Sequence, residues 1–150
     1  MEIITEPNKI LHKKLEVVPE ITSEIKELIS AMRLKMVEAK GIGLAANQVG
    51  ENLQIFVIDK NLAEESKVPD AFINPEISEY SREQDEIEEG CLSIPDYFLA
   101  VPRSKKIKIK ALDENGKKVR FKAKGFLARV LQHEMDHLNG LLISDKKVQP

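Results

Sequence analysis

The segment His-Glu-Met-Asp-His at positions 133–137 constrains this chain more than any other stretch. It lies in a run from 125 to 138 that has no proline and contains good helix formers, so we predict a helix there. Side chains four residues apart share one face of a helix, and His133 and His137 can therefore bind a single metal ion. Glu134 lies about 100° around the helix from His133. From there it can stay beside the ion without binding it and handle the proton of a metal-bound water.

The motif alone leaves several interpretations open. A surface helix with two solvated histidines is the simplest of them. A zinc peptidase of the extended type needs a third histidine at position 143, where this chain has isoleucine, and no glutamate follows Glu134 to replace it. A structural metal site needs four Cys or His ligands, and only His12, in a basic arm, is left as the fourth. The third ligand of an open site must come from upstream, and the thiolate of Cys91 is the best candidate.

Composition places the chain among ordinary soluble globular proteins. Its 150 residues predict one domain over 1–150, and 42% hydrophobic with 32% charged residues is typical of that class. The net charge of −2 creates no field that favours nucleic acid or anionic membranes, and we interpret a mildly basic region near 103–124 as a solvated sheet face. No apolar run reaches transmembrane length, and the N-terminus lacks signal-peptide features. The single cysteine suits a reducing compartment, so we expect a cytoplasmic protein.

Residue patterns predict the other elements. Apolar residues recur at helical spacing over 22–40, and this helix is expected to be a scaffold. Alternation on both sides of Asn115-Gly116 predicts a hairpin with one apolar and one basic face. We also expect an irregular N-terminal arm over 1–20, strands at 54–59, 71–78 (broken by Pro75) and 141–143, a loop at 60–70, and a solvated acidic turn at 79–89 before a segment stopped by Pro95.

Three blocks occur in the order in which one enzyme family carries them. They are Gly43-Leu44-Ala45-Ala46-Asn47-Gln48, Glu89-Gly90-Cys91-Leu92-Ser93 and His133-Glu134-Met135-Asp136-His137-Leu138-Asn139-Gly140. Together they resemble the blocks Gly-x-Gly-Leu-Ala-Ala-x-Gln, Glu-Gly-Cys-Leu-Ser and His-Glu-x-Asp-His-Leu-x-Gly of the peptide deformylase family. We therefore expect an α+β fold in which short antiparallel sheets surround a central catalytic helix, with an N-terminal scaffold helix and no C-terminal helix.

The resemblance implies a metal held by Cys91, His133 and His137. Fe(2+) is the metal expected in cells, with Zn(2+), Ni(2+) or Co(2+) as substitutes. The implied reaction removes the formyl group from the N-terminal formylmethionine of newly synthesised polypeptides. A metal-bound water would attack the formyl carbon, and Glu134 would act as general base and then as general acid.

The resemblance also implies the groups that bind the substrate. The side-chain amide of Gln48 and the backbone N–H of Leu92 would stabilise the oxyanion. The peptide would bind as an added strand against bare backbone, and its methionine side chain would enter an apolar pocket. The residues expected to form these contacts are Ile42, Gly43, Gly90 and Val130.

The remaining expectations concern anchoring and partners. Asp136 faces away from the predicted metal, so we expect it to anchor the helix, with Arg103 as its partner. The partners implied are nascent N-formylmethionyl peptides, without membrane binding and without recognition of nucleic acid sequence. The sequence ends at Pro150 without the C-terminal helix that helps some family members dock on the ribosome, so we expect transient ribosome proximity rather than direct docking. A peptidase and a catalytically silent peptide-binding protein are the alternatives, and Glu134 favours an enzyme.

Overall fold

The computed structural model describes residues 1–146 and contains helices and strands in mixed order. The helices are α1 (Ser23–Glu38), α2 (Lys60–Ser66), α3 (Gly125–Leu138) and α4 (Ile143–Lys146). The strands are β1 (Gly43–Ala45), β2 (Ile55–Ile58), β3 (Ala71–Tyr80), β4 (Gln84–Cys91), β5 (Ile94–Ser104), β6 (Lys106–Leu112) and β7 (Lys118–Lys124). Short 3₁₀ turns cover Lys9–His12 and Ala46–Val49.

The strands form two antiparallel sheets, and α3 packs against both. The larger sheet has the order β1-β2-β3-β6-β7, and β4 and β5 form the smaller sheet. Helix α3 contacts strands that include β1, β5 and β7. This arrangement confirms the expected α+β class with a central helix. Because β1 lies at one edge of the larger sheet and β4 has a single partner strand, each has a free side among the described residues.

The larger sheet and α3 share the apolar core. The predicted hairpin is confirmed as β6 and β7, and its inward residues Ile107, Ile109 and Ala111 are buried. Phe56 and Phe72 of the adjacent strands stack with 4.9 Å between ring centroids. Each large apolar side chain buried in this way contributes about 1.5–3 kcal/mol. The core therefore fixes α3 against the sheet from which the site is built.

The N-terminal third confirms two predictions. Helix α1 forms where the apolar periodicity places it, and the Thr22 hydroxyl caps it by accepting a hydrogen bond from the Ile25 N–H at 3.3 Å. The arm before it has only one 3₁₀ turn and buries Leu11 and Leu15 in the core. His12 of this basic arm is half-exposed and pairs with Glu6.

The loop predicted at 60–70 is wrong, because residues Lys60–Ser66 form helix α2. The Asp59 carboxylate accepts a hydrogen bond from the Leu62 N–H at 3.1 Å and so caps the first turn. Ala63 is buried against the core. This capping signal was present in the sequence, but the polar composition of the segment hid it.

The solvated acidic turn predicted at 79–89 is also wrong, because most of it belongs to strand β4. Two of its carboxylates are paired with arginines, since Glu89 contacts Arg103 and Asp85 contacts Arg129, whereas Glu86 and Glu88 are exposed. Those arginines come from distant parts of the chain. Composition within the segment could not indicate that pairing.

Both prolines that were expected to interrupt strands are tolerated. Pro95 lies near the start of β5, in a sheet of two strands, where a missing N–H is easily accommodated. The prediction that it stops the segment is therefore wrong. Strand β3 continues through Pro75, but its register with β6 shifts between Ile73 and Glu76.

The last predicted strand, at 141–143, is wrong. Ile143 begins the single turn α4, and the Leu142 N–H donates to the Asp145 carboxylate at 2.8 Å. The expected absence of a C-terminal helix concerns the chain after 146 and lies outside the described residues. A single domain over 1–150 stays a prediction. Among residues 1–146, every helix falls short of the length and apolar character needed to cross a bilayer.

Candidate metal centre and active site

Two buried amide side chains hold the C-terminal half of α3 in place. The Gln132 side chain accepts from the Ser104 N–H at 3.1 Å and donates to the Ser104 carbonyl at 2.8 Å, which joins the helix to β5. The Asn47 amide donates to the His137 carbonyl at 2.8 Å. The histidine-bearing turn is therefore attached at both ends to neighbouring elements.

Three potential metal ligands converge in front of this turn. The Nε2 atoms of His133 and His137 lie 3.2 Å apart, and the Cys91 Sγ lies 3.4 Å from the His137 Nε2. All three donor atoms fall within 4.8 Å of one another. Cys91 lies at the end of strand β4, whereas both histidines lie on helix α3, so the strand end and the helix meet at this point. One thiol and two imidazoles suit Zn(2+) or Fe(2+) and leave a coordination position open.

Burial and hydrogen bonding separate the two histidines. Burial lowers the pKa of His137 well below its usual value, which keeps its ring neutral. Burial acts in the same direction on His133, but contacts with Cys91 and Glu89 and the charge of Glu134 raise its pKa to about 10. The His133 Nδ1 lies 2.9 Å from Glu89 Oε1. Because an ionised carboxylate only accepts, Nδ1 carries a proton, and a metal cation at the site would displace the second proton from Nε2 and use its lone pair.

Glu134 is buried beside these donors, and its Oε1 has no hydrogen-bond partner among the described residues. Burial raises its pKa to about 7, against the opposing charges of His133 and Arg103. Its other oxygen lies against Gly43, where an added Cβ would come within 2.5 Å. Only glycine allows this approach. An unpartnered buried carboxylate with a near-neutral pKa is suited to exchange protons.

A buried ion cluster supports the site from behind. Glu89 accepts from the Arg103 guanidinium at 2.9 Å and from Arg129 Nη1 at 2.5 Å, in addition to its contact with His133. Arg103 also donates to Asp136 at 2.6 Å, as the sequence predicts. We call these five residues, Glu89, Arg103, Arg129, His133 and Asp136, the Glu89 cluster. The cluster links β4, β5 and α3 and orients the His133 ring.

The predicted oxyanion donors lie next to the cysteine. The Gln48 amide nitrogen is 3.7 Å from the Cys91 Sγ and donates to the Ser93 hydroxyl at 3.1 Å. Its oxygen accepts from the Ala45 N–H at 3.0 Å, which fixes the orientation of the amide. Leu92 follows Cys91 directly and lines the same cavity.

A cavity of about 710 Å³ opens onto the site. Its walls are residues 40–43, which lead into β1, and residues 87–92 of β4 and the following turn. The four predicted substrate-binding residues all line it, namely Ile42, Gly43, Gly90 and Val130. Three exposed apolar side chains extend the rim: Ile87, Phe98 and Phe126. The cavity is therefore an apolar groove that lies between two strands with free edges.

Several residues that build this site had no role predicted from the sequence. Glu89 is the first residue of the cysteine block, and its position two residues before Cys91 was the only available signal. Gln132 and Asn47 also lie inside or beside the recognised blocks. Their hydrogen bonds to Ser104 and His137 connect segments 28 and 90 residues apart, which local patterns do not indicate.

Known proteins resemble this chain in both sequence and structure. The family model described as polypeptide deformylase matches residues 1–150. Peptide deformylase 1 of Clostridium perfringens is 50% identical over 141 residues, which is 94% of this chain and 93% of that protein. The peptide deformylase of Psychrobacter cryohalolentis is 45% identical and covers 97% of this chain, which spans 78% of that protein.

Solved structures give the same result. The crystal structure of peptide deformylase from Thermotoga maritima superposes with a TM-score of 0.91 at 40% identity and covers 99% of this chain and 97% of that one. A peptide deformylase from Synechococcus elongatus in complex with actinonin gives a TM-score of 0.90 at 40% identity, with 97% and 78% coverage.

Proposed function

The chain belongs to the polypeptide deformylase family, and from that premise we propose that it is a metal-dependent hydrolase of formylated peptides. The reaction is removal of the formyl group from the N-terminal formylmethionine of newly synthesised polypeptides, with release of formate. The observation that carries the proposal is the convergence of Cys91 Sγ with two imidazole Nε2 atoms beside the buried carboxylate of Glu134. A hydrolase needs all of these groups, whereas a peptide-binding protein has no use for Glu134.

Cys91, His133 and His137 would hold the metal. Fe(2+) is the proposed cellular ion, and Zn(2+), Ni(2+) or Co(2+) would bind the same donors because thiolate and imidazole accept all four. Bound there, a divalent cation supplies Lewis acidity, which polarises the formyl carbonyl and makes water a stronger acid. The contact of Glu89 with the His133 Nδ1 keeps the Nε2 free for this ion.

Glu134 is proposed as the general base and general acid. It would accept the proton that the attacking water loses and then deliver it to the methionine nitrogen as the amide C–N bond breaks. Its lack of a hydrogen-bond partner among the described residues and its pKa of about 7 support this role, because such a carboxylate can both take and return a proton near neutrality.

Gln48 and Leu92 are proposed to stabilise the negative charge that develops on the formyl oxygen. The Gln48 amide nitrogen already faces Cys91, and its rotation is restrained because the amide oxygen is bonded to the Ala45 N–H. A donor held in this way needs no reorganisation during the reaction. Loss of one such donor typically lowers kcat by about 10²- to 10³-fold.

The peptide is proposed to bind as an extended strand between β1 and β4. Both strands line the groove, and each has a free side among the described residues. Backbone hydrogen bonds from Gly43 and Gly90 would align the chain, which gives affinity for many sequences. Ile42 and Val130 would form the wall that receives the methionine side chain. The proposed partners are thus nascent N-formylmethionyl chains, and the proposed location is the cytoplasm, where such chains are made.

The test uses protein purified without oxygen and a formyl-Met-Ala-Ser peptide. We expect release of formate from the formylated peptide and no cleavage of the unformylated one. Cleavage between amino acids would instead identify a peptidase, and binding without turnover would identify a silent binder. Glu134→Gln should reduce turnover by about 10²- to 10⁴-fold while metal content persists. Glu86→Gln, an exposed carboxylate on β4, is the matched control and should act like the wild type.

A further inference from the structure

The outward side of β6 and β7 carries an unusual concentration of positive charge. Every second residue of each strand faces outward, and all of these except Leu112 are cationic. We call the cationic ones the cationic face: Lys106, Lys108, Lys110, Lys118, Arg120, Lys122 and Lys124. The whole chain has a net charge of −2, so this is a local arrangement rather than a basic composition. None of the seven lines the groove described above.

The strand register places these charges directly opposite one another. Three cross-strand pairs consist of two cations each, namely Lys106–Lys124, Lys108–Lys122 and Lys110–Arg120. Like charges in opposed positions destabilise a sheet. Two glutamates of β3 offset part of the charge, since Glu79 lies 3.9 Å from Lys108 and Glu76 lies 3.2 Å from Lys110. The other five cations make no ion pair with the described residues.

Protection of an edge strand explains only part of this pattern. Lysines on β7 would discourage pairing with another sheet, because β7 is the edge of the larger sheet. Strand β6 lies between β3 and β7 and has no free edge to protect. Its lysines extend the charge across a second strand. A two-strand array therefore indicates a ligand that is itself an extended polyanion.

The cations form a regular array. Alternate residues repeat about every 6.8 Å along a strand, and neighbouring strands lie about 4.8 Å apart. At one end the face becomes concave, where Lys106, Lys108, Lys122 and Lys124 line a cavity of about 500 Å³. Flexible ammonium groups in such a row can each meet one phosphate and release its counterions.

We propose that the cationic face binds the phosphate backbone of double-stranded RNA without reading its sequence. Phe121, the one aromatic residue of β6 and β7, turns inward towards Phe72, and Tyr80 of β3 is the exposed ring at the concave end of the face. A single ring cannot stack a run of successive unpaired bases, so the row of cations favours a duplex whose bases are already stacked. Duplex RNA is recognised largely by its shape, phosphates and 2′-hydroxyls. The choice of RNA over DNA rests on the proposed function, because new polypeptides arise from an RNA-containing machinery.

The test measures binding of a fluorescein-labelled RNA duplex of about 20 base pairs by anisotropy, between about 50 and 200 mM salt. The test variant is Lys106→Gln/Lys122→Gln/Lys124→Gln, and the matched control is Lys13→Gln/Lys14→Gln/Lys26→Gln, which removes the same charge from exposed sites elsewhere. We expect the test variant to lose about tenfold or more in affinity, with a salt slope lower by about 2 to 3. The control should bind within about twofold of wild type.

Four outcomes would overturn the proposal. They are weak RNA binding by the wild type at the lowest salt, equal binding by the wild type and test variant, equal loss in both triple variants, and binding of a DNA duplex or anionic phospholipid vesicles as tight as that of RNA. Hydrolysis of formyl-Met-Ala-Ser is measured in parallel and should be unchanged in both variants. Failure of the RNA proposal is thereby distinguished from failure of the proposed function.

Discussion

Two arginine-centred ion clusters connect helices to the rest of this protein, and they differ in burial. In the Glu89 cluster the side chains of Arg103, Glu89 and Asp136 are 4%, 7% and 18% exposed. In the second, which we call the Arg33 cluster, Arg33 of α1 contacts Asp70 and Glu114 at 2.7 and 2.6 Å. Its members are 27%, 23% and 34% exposed.

The two clusters differ in function as well as in burial. Charges at a partly hydrated site are screened, so the Arg33 cluster can add modest stability between α1, the start of β3 and the hairpin turn. A desolvated cluster gains little net stability over an apolar one, but removal of one member leaves a buried charge without its partner. The Glu89 cluster includes His133, one of the three potential metal ligands. We infer that it fixes ligand geometry, whereas the Arg33 cluster only supports the scaffold.

The largest effect is expected from Glu89→Gln. This change removes the charge shared by Arg103 and Arg129 and weakens the acceptor of the His133 Nδ1. We expect the free energy of unfolding to fall by about 3–5 kcal/mol and metal affinity to fall by about 10- to 100-fold. Denaturant titration and competition with a chelator measure the two. A loss below about 1 kcal/mol would show that the two clusters are equivalent.

Asp136→Asn should have the next largest effect, and on stability alone. Asp136 anchors α3 on Arg103 at 2.6 Å but is not among the convergent metal donors. We expect a loss of about 2 kcal/mol in unfolding free energy with metal content retained. Metal loss from a variant that unfolds like wild type would contradict the assignment of Asp136 as an anchor.

Lowering the pH should reduce the stabilising effect of the Glu89 cluster, and the expected change in unfolding free energy is smaller than for the two substitutions above. Burial would raise the pKa of Glu89, but its hydrogen bonds with Arg103 and His133 outweigh this and hold it well below its usual value. A depressed folded-state pKa stabilises the fold above the unfolded pKa of about 4.3, and this contribution is lost as pH falls. Between about pH 5 and 3 the wild type should lose about 1.5 kcal/mol more than Glu89→Gln. If the unfolding free energies of the wild type and Glu89→Gln changed with pH in parallel, Glu89 would not be held ionised in the folded protein.

The smallest effect is expected in the Arg33 cluster. Arg33→Gln breaks both ion pairs at a half-hydrated site and should cost about 1 kcal/mol or less. Turnover of formyl-Met-Ala-Ser and metal affinity should equal those of wild type, since α1 contributes no metal donor. A reduced metal affinity in this variant would contradict the division between scaffold and site.

The same contrast explains what could be predicted from the sequence. Helix α3 and the hairpin follow local periodicity, so their positions were predicted within a few residues. The convergence of Cys91 with the two histidines followed from ligand chemistry and from the family blocks. Strand β4 was missed because the partners of its carboxylates, Arg103 and Arg129, are 14 to 44 residues away. Long-range ion pairing buries Glu89 of this apparently solvated acidic segment beside the site, and no local pattern carries that information.

The most direct test of the account is X-ray absorption at the zinc K-edge on the zinc-loaded protein and its Cys91→Ser variant. The account predicts one sulfur near 2.3 Å and two imidazole nitrogens near about 2.0–2.1 Å, with a further light-atom ligand that comes from solvent. In the Cys91→Ser variant the sulfur shell should disappear. A first shell without sulfur in the wild type, or a shell closed by four protein ligands, would contradict the proposed hydrolytic metal centre.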